Sequence, residues 1–333
     1  MFIPTIRRAR LLPVLGAVFL AALAVAYPVA LRAQSFPDRP LRLLVGQAPG
    51  TATDIVARAV AARWGERLGQ NVVVDNRPGA GEILAAEAVV RALPDGHTVL
   101  FGSIASHGIA PALYAKLPYD PARDFAPLSL VGKVPNVLVV FPGLPARAMG
   151  DFISNIRAQP GKLNYGSTGV GTSTHLGMEL LKTRLALDIV HVPYKSGPAA
   201  FTDLMAGQVS AGLFNLPSQL PLIKANRVRA LGVTSLRRST HLPEVPTLDE
   251  AGVPGYEVVV WYAMFAPART PQAAHARLHA ELLRALDGAD FRERTAGLGV
   301  DFQSSTPAEL ARYSRAEIEK WGRVAREAGI RAE

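Results

Sequence analysis

Short, nearly all-apolar runs alternate along this chain with longer stretches of helical period, and few folds accommodate that order. Residues 41–45 (Leu-Arg-Leu-Leu-Val) read as a strand covered on both faces. Residues 54–68 set Val56, Val60, Trp64 and Leu68 four apart, along one face of a helix. A second buried strand follows at 71–75, a helix at about 82–91 and a strand at 98–101. Strand, helix, strand, helix, strand predicts an α/β fold, a parallel sheet with helices on both faces. The grammar recurs with helices at 150–158, 173–185 and 198–206 and strands at 189–192 and 210–214. Two β-branched and leucine-rich runs, 136–141 and 229–234, flank this second block and read as crossings between two lobes. The predicted division is 35–135 plus 235–333 for the first lobe and 136–234 for the second, a natural size for two domains.

The C-terminal segment carries two helix starts. Thr270-Pro271 suggests a hydroxyl cap with proline in the first turn. Thr306-Pro307-Ala308-Glu309 adds the glutamate of a capping box, with Leu310, Tyr313 and Trp321 as the inner face of that last helix.

The N-terminus is of a different kind. Arg7, Arg8 and Arg10 precede an apolar run over 11–31, and Ala30 and Ala33 stand before a polar start at Gln34 and Ser35. Basic start, apolar stretch and small-residue exit are the layout of a secretory signal peptide, residues 1–34, with cleavage after Ala33 or one residue later. The run approaches the length of a spanning helix, but Pro13 and Pro28 interrupt it and no comparable stretch follows. Losing its four arginines lowers the net charge from +9 to +5, a modest surplus instead of the clustered stripe of a nucleic-acid binder. With no cysteine there is neither disulfide framework nor thiolate chemistry, so the export signal alone places the protein in the periplasm.

In parallel α/β sheets, ligands sit beyond the carboxyl ends of strands, where loops lead into helices. Three loops qualify: residues 47–54, 77–81 and 166–175. Each is small and precedes a helix whose unpaired N–H groups and positive dipole end favour an anion. The third gathers Ser167, Thr168, Thr172, Ser173 and Thr174 among glycines. Such hydroxyls can hold a carboxylate or merely cap the helix and its turn; the matching loop in the other lobe favours binding.

Sharper motifs fail. Gly79-Ala80-Gly81 begins like a dinucleotide fingerprint, but Leu84 stands where the third glycine belongs. No phosphate loop is present, and Tyr165 occupies the glycine position of a nucleophile elbow at Ser167. His275 and His279 could share a metal, yet no third ligand is near in sequence, so a solvated helix face is expected. His175 and His191 read as structural histidines.

These loops, in this order, resemble the Bug-type solute receptors of tripartite tricarboxylate transporters. The likeness runs from Phe36-Pro37-Asp38-Arg39-Pro40 nearly to the C-terminus. Asn76-Arg77-Pro78-Gly79-Ala80-Gly81, Pro94-Asp95-Gly96-His97-Thr98, Leu117-Pro118-Tyr119-Asp120-Pro121, the stretch 160–167, His191-Val192-Pro193-Tyr194-Lys195 and Glu244-Val245-Pro246-Thr247 carry it. The resemblance implies a type II periplasmic binding-protein fold, two lobes joined by two crossing segments with the ligand cleft between them. It further implies a carboxylate held by backbone amides, small hydroxyls and water. On this chain that maps to Gln47, Gly50, Thr51, Ala52, Thr53 and Asp54 in the first loop and Ser167, Thr168, Thr172 and Ser173 in the third, with Ser103, Tyr194 and Asn215 as neighbours. Four positions depart from the family pattern: Thr51 and Ala52 replace a double glycine, Glu82 a glycine, and Ser210 an aspartate. The expected protein is a monomeric, non-enzymatic receptor without cofactor or metal, taking a small carboxylate to membrane permease subunits. A sensor reporting to another partner would need the same cleft, and an enzyme on this architecture would need a catalytic constellation that the motifs do not supply.

Overall fold

The computed structural model describes residues 36–330; the expected signal peptide lies outside them. Strand β1 (Leu41–Val45) leads through the first loop to α1 (Ala52–Leu68) and β2 (Val72–Asn76). Helix α1 starts where Thr51 accepts the Asp54 N–H and stops at Gly69, whose φ of 70° a side chain would resist. Val56, Val60, Trp64 and Leu68 are all buried, as their spacing predicts, and the Trp64 indole donates to the Leu278 carbonyl. A short 3₁₀ turn (Ala80–Glu82), α2 (Ile83–Val90) and β3 (Thr98–Ser103) complete the first unit. Helix α2 starts one residue later than expected because Glu82 is left-handed, with φ of 73°.

After β3 comes a wide turn (Ala105–Ile109), one turn of helix α3 (Ala110–Leu113), and the long strand β4 (Phe125–Val140). The second block holds α4 (Met149–Ala158), β5 (Asn164–Ser167), α5 (Ser173–Leu185), β6 (Val190–Pro193), α6 (Gly197–Met205), β7 (Ala211–Asn215), α7 (Leu216–Lys224) and β8 (Arg229–Val233). The chain finishes with β9 (Val259–Pro267), α8 (Gln272–Leu286), α9 (Ala289–Thr295), β10 (Asp301–Phe302) and α10 (Pro307–Glu327).

The strands run β2-β1-β3-β9-β4-β7-β5-β6, with β8 and β10 also pairing β4. β1 is parallel to β2 and β3, and β5 is parallel to β6 and β7. The two parallel groups are joined through β4, which changes partner along its length. Residues 125–135 pair antiparallel with β9, and residues 136–140 pair with β7 and β8. This is the two-lobed architecture of periplasmic binding proteins. A smaller core of Val137, Val139, Leu204, Val209, Phe214 and Leu242 accompanies the main one.

Thr234 ties the crossing together. Its hydroxyl accepts from the Asn136 N–H at 2.8 Å and donates to the Val258 carbonyl at 2.6 Å. Residues 246–248 lie along β8, with the Leu248 N–H on the Val233 carbonyl at 2.8 Å. The last helix has its capping box as expected, Thr306 and Glu309 bonding reciprocally. It docks through Glu317, whose Oε2 accepts from the indoles of both Trp261 and Trp321 at 3.0 Å.

Three expectations need correction. The second strand is not buried: β2 is the edge of the sheet and Val73 on it is exposed. Thr270 does not cap α8: Pro271 holds the cap position and the Thr270 hydroxyl turns back to the Pro267 carbonyl. His275 and His279 are not on a solvated face; both are half-buried, and His275 Nε2 lies 2.8 Å from the Pro127 carbonyl because α8 packs against β4. Among the described residues, no group of three or more potential ligands could hold a metal. No described helix is long and apolar enough to cross a membrane.

Candidate ligand-binding site

The loops after β1, β2 and β5 meet around one cavity of about 350 Å³. Gly46, Gln47 and Ala48 come from the first, Pro78, Gly79, Gly81 and Glu82 from the second, and 168–172 from the third. Ala105, Ile109, Ala110, Leu113 and Tyr114 form an apolar wall that the sequence reading did not foresee. Their segment is one wide turn and one turn of helix, too short to show a period. Glu82 and Tyr114 are the only ionisable side chains on the lining; it holds no arginine, lysine or histidine.

The first loop is braced by a charge. Asp54 is 2% exposed, and its carboxylate accepts from Gly50 N at 2.9 Å, Arg58 Nε at 3.0 Å and Asn76 Nδ2 at 2.9 Å. Burial raises its pKa, but those bonds and the Arg58 charge outweigh it and leave the carboxyl below its ordinary range. Asn76 also donates to the Gln47 carbonyl, so the end of β2 fixes the loop after β1. Gly50 has φ of 80°, Thr51 and Ala52 start the helix half-buried, and the Thr53 hydroxyl lies 3.5 Å from the Tyr262 hydroxyl.

The third loop is braced without charge. Thr172 caps α5, accepting from His175 N and donating to the Gly169 carbonyl at 2.7 Å. Thr174 Oγ1 accepts the Thr168 N–H at 2.9 Å and sits within 3.0 Å of the Thr168 and Thr172 hydroxyls. Ser173, nearly buried, opens the helix.

Ser167 is fully buried, with its Oγ 2.7 Å from His191 Nε2. His191 stacks between Tyr165 and His175, at centroid distances of 4.8 and 4.1 Å. Burial, then the neighbouring His175, lowers the His191 pKa to about 4, so the ring is neutral at pH 7. A serine beside an imidazole can be a nucleophile and its base. Here the serine is enclosed, and no carboxylate hydrogen-bonds to His191 among the described residues.

Of the residues singled out from sequence, Gln47, Thr168 and Thr172 line the cavity. Gly50, Thr51, Ala52, Thr53, Asp54, Ser167 and Ser173 lie in or beside the loops that form it, off the lining. Ser103 is buried behind Glu82, donating to its Oε2 at 2.7 Å. Tyr194 is half-buried, its hydroxyl on Asp203 at 2.6 Å and its N–H on the Ser167 carbonyl. Asn215 ends β7 opposite Asn136, at the crossing.

A sequence model described as "Tripartite tricarboxylate transporter family receptor" matches residues 56–330. The chain belongs to this family. Its members are periplasmic solute-binding receptors, and the Bug-type resemblance is borne out by Protein BugT of Bordetella pertussis. BugT is 35% identical over 323 residues, covering 97% of this chain and 98% of BugT. Among solved structures, "R. palustris Rpa4515 with adipate" superposes with a TM-score of 0.82 at 36% identity, covering 89% of this receptor and 99% of that chain. "MatC (Rpa3494) from Rhodopseudomonas palustris with bound malate" gives 0.77 at 35% identity, covering 87% and 99%.

Proposed function

We propose that this receptor captures a small carboxylate between its lobes, after export to the periplasm and removal of residues 1–34, and presents it to the membrane permease subunits of a tripartite transporter. The lobes divide in β4 near residues 135 and 136 and again within 234–258, where Thr234 joins Asn136 to Val258. The observation that carries the reading is the character of the cavity. Two loops that lead into the N-termini of α1 and α5 face it, lined by small hydroxyls and glycines and by no cationic side chain. Helix N-termini supply unpaired N–H donors and a positive potential, so an anion can be held without an arginine clamp. The adipate and malate of the two related structures are small carboxylates of this kind.

A thermal-shift screen of organic acids followed by calorimetry tests it. The best acid should bind at least about a hundredfold more tightly than its primary amide, the difference between a charge-assisted and a neutral hydrogen-bond set. Equal affinity for acid and amide would show that the cleft does not read charge, and the carboxylate reading would fall.

A further inference from the structure

Glu82 is 3% exposed, forms part of the cavity wall and makes no ion pair among the described residues. Its φ of 73° is a conformation glycine adopts freely and a glutamate resists. The side chain is nonetheless held firmly. Oε1 accepts from Gln47 Nε2 at 3.1 Å, and Oε2 accepts from the hydroxyls of Ser103 at 2.7 Å and Ser106 at 3.2 Å. These three neutral donors come from the loop after β1, the end of β3 and the wide turn beyond it, and they converge on a single carboxyl group. That is how a cleft without cationic side chains would grip a carboxylate of its ligand. The backbone makes room for it too: a Cβ on Gly46 would fall 2.4 Å from the Cβ of Glu82.

We propose that the Glu82 carboxyl group fills a carboxylate subsite on the cleft wall, so that this receptor selects ligands bearing one carboxylate and rejects α,ω-dicarboxylates. The single ligand carboxylate then lies toward the hydroxyl-rich loop, and a second one finds its three donors already taken by a resident acid. The inference rests on the carboxylate reading above. Burial pushes the Glu82 carboxyl above its ordinary range, while the bonds from Ser103, Gln47 and Ser106 pull it down, so the donors offset only part of the burial.

Calorimetry on the exported chain, with butanoate against succinate and hexanoate against adipate, tests the proposal. The wild type should prefer the monocarboxylate of the better-bound pair by about tenfold or more, because a buried polar mismatch discriminates strongly. Glu82→Gly should strengthen dicarboxylate binding by about tenfold while moving the monocarboxylate by less than about threefold. Glu82→Gln, which keeps the volume and can still pair once the Gln47 amide or the serine hydroxyls turn to accept from its NH2, should retain the wild-type preference. A Glu82→Gly protein that binds dicarboxylates no better than the wild type overturns the proposal. So does a Glu82→Gln protein that admits them as readily as Glu82→Gly, since charge alone would then act. Should Glu82→Gly not fold, the wild type decides: equal affinity for hexanoate and adipate sinks the idea. If none of the four binds, the best acid of the screen above and its ω-carboxylated analogue take their place; if no acid binds better than its amide, the carboxylate reading itself fails, and the subsite with it.

Discussion

The first loop and the hydroxyl-rich loop face the same cavity and do the same job by different chemistry. Each leads from a strand into a helix N-terminus, and each must keep glycine-rich backbone in one shape. The first does so with a buried charge: Asp54 gathers Gly50, Arg58 and Asn76, and Asn76 reaches on to Gln47. The third uses only neutral groups, the Thr168, Thr172 and Thr174 hydroxyls with Gly171 N on His175 Nδ1 at 3.2 Å. The one acid of the first loop is consumed by its own architecture, so neither loop brings a free charge to the ligand. On the carboxylate reading proposed above, charge selectivity is left to the backbone.

The sharpest way to break this contrast is to remove one brace from each side. Asp54→Ala should lower stability by about 3 kcal/mol, because it leaves Asn76 and the Gly50 N–H without their acceptor. Thr174→Val should lower it by about 1 kcal/mol, the size of a neutral hydrogen-bond loss. The two should also differ with pH. The Asp54 pKa is lowered in the fold, so its contribution is present above the ordinary carboxylate range and disappears as pH falls through its folded value. Chemical denaturation should therefore show the deficit of an Asp54→Asn variant level above the ordinary carboxylate range and closing as pH falls below it, while the Thr174→Val deficit stays level across the same span. Parallel pH profiles would mean that Asp54 is not a charged brace.

Glu82 gives the smaller effect, of opposite sign. Its pKa is raised, so the stability it contributes is full below the ordinary carboxylate range and is lost as pH rises through its folded value. Glu82→Gln should then be more stable than the wild type at pH 7.5 by about 1 kcal/mol, with the advantage vanishing in acid. A variant less stable than the wild type at pH 7.5 would show the Glu82 carboxylate to be well accommodated in its ionised form.

Much of this scaffold is legible in the sequence because its signals are local. The residues of β1 form an apolar run broken only by Arg42, and α5 is read correctly as 173–185 from Thr172, Ser173 and the period that follows. Thr306 and Glu309 spell out their own cap. The strand β4 is legible only in part, since its first half looks irregular until β9, more than a hundred residues away, supplies a partner. In the cavity, the three loops could be named from their glycines and hydroxyls. What could not be read is which side chains face inward. Asp54 looks like a helix cap or a ligand contact and is a buried node, because its partners Arg58 and Asn76 come together only in the fold. Glu82 did leave a signal, a long acid in a glycine position; its meaning depends on Gln47, Ser103 and Ser106, which lie 35, 21 and 24 residues from it in the chain.

The weakest expected effect is the strictest test of backbone-borne charge selectivity, because it concerns Arg77, which opens the second loop, and Lys195, which follows Tyr194. Arg77 is exposed and turned to Asp75, with contacts of 3.1 and 3.3 Å, while its neighbours Pro78 and Gly79 line the cavity. Asp75 also holds Arg42 at 2.6 Å, so the arginine braces the end of β2 within a surface network. Lys195 is exposed beside Tyr194 and makes no ion pair among the described residues. Solvated charges of this kind are worth about 0 to 1 kcal/mol, at most roughly fivefold in affinity. Arg77→Ala and Lys195→Ala should each leave the dissociation constant within about tenfold of wild type. The salt dependence should agree with them: from about 50 to 500 mM, affinity should change by less than about threefold, since fixed N–H dipoles at close range are screened little. A larger loss in either variant, or a steep fall of affinity with salt, would mean that a mobile cation closes over the ligand. The hydroxyl-rich and first loops would then share their role with a third contributor.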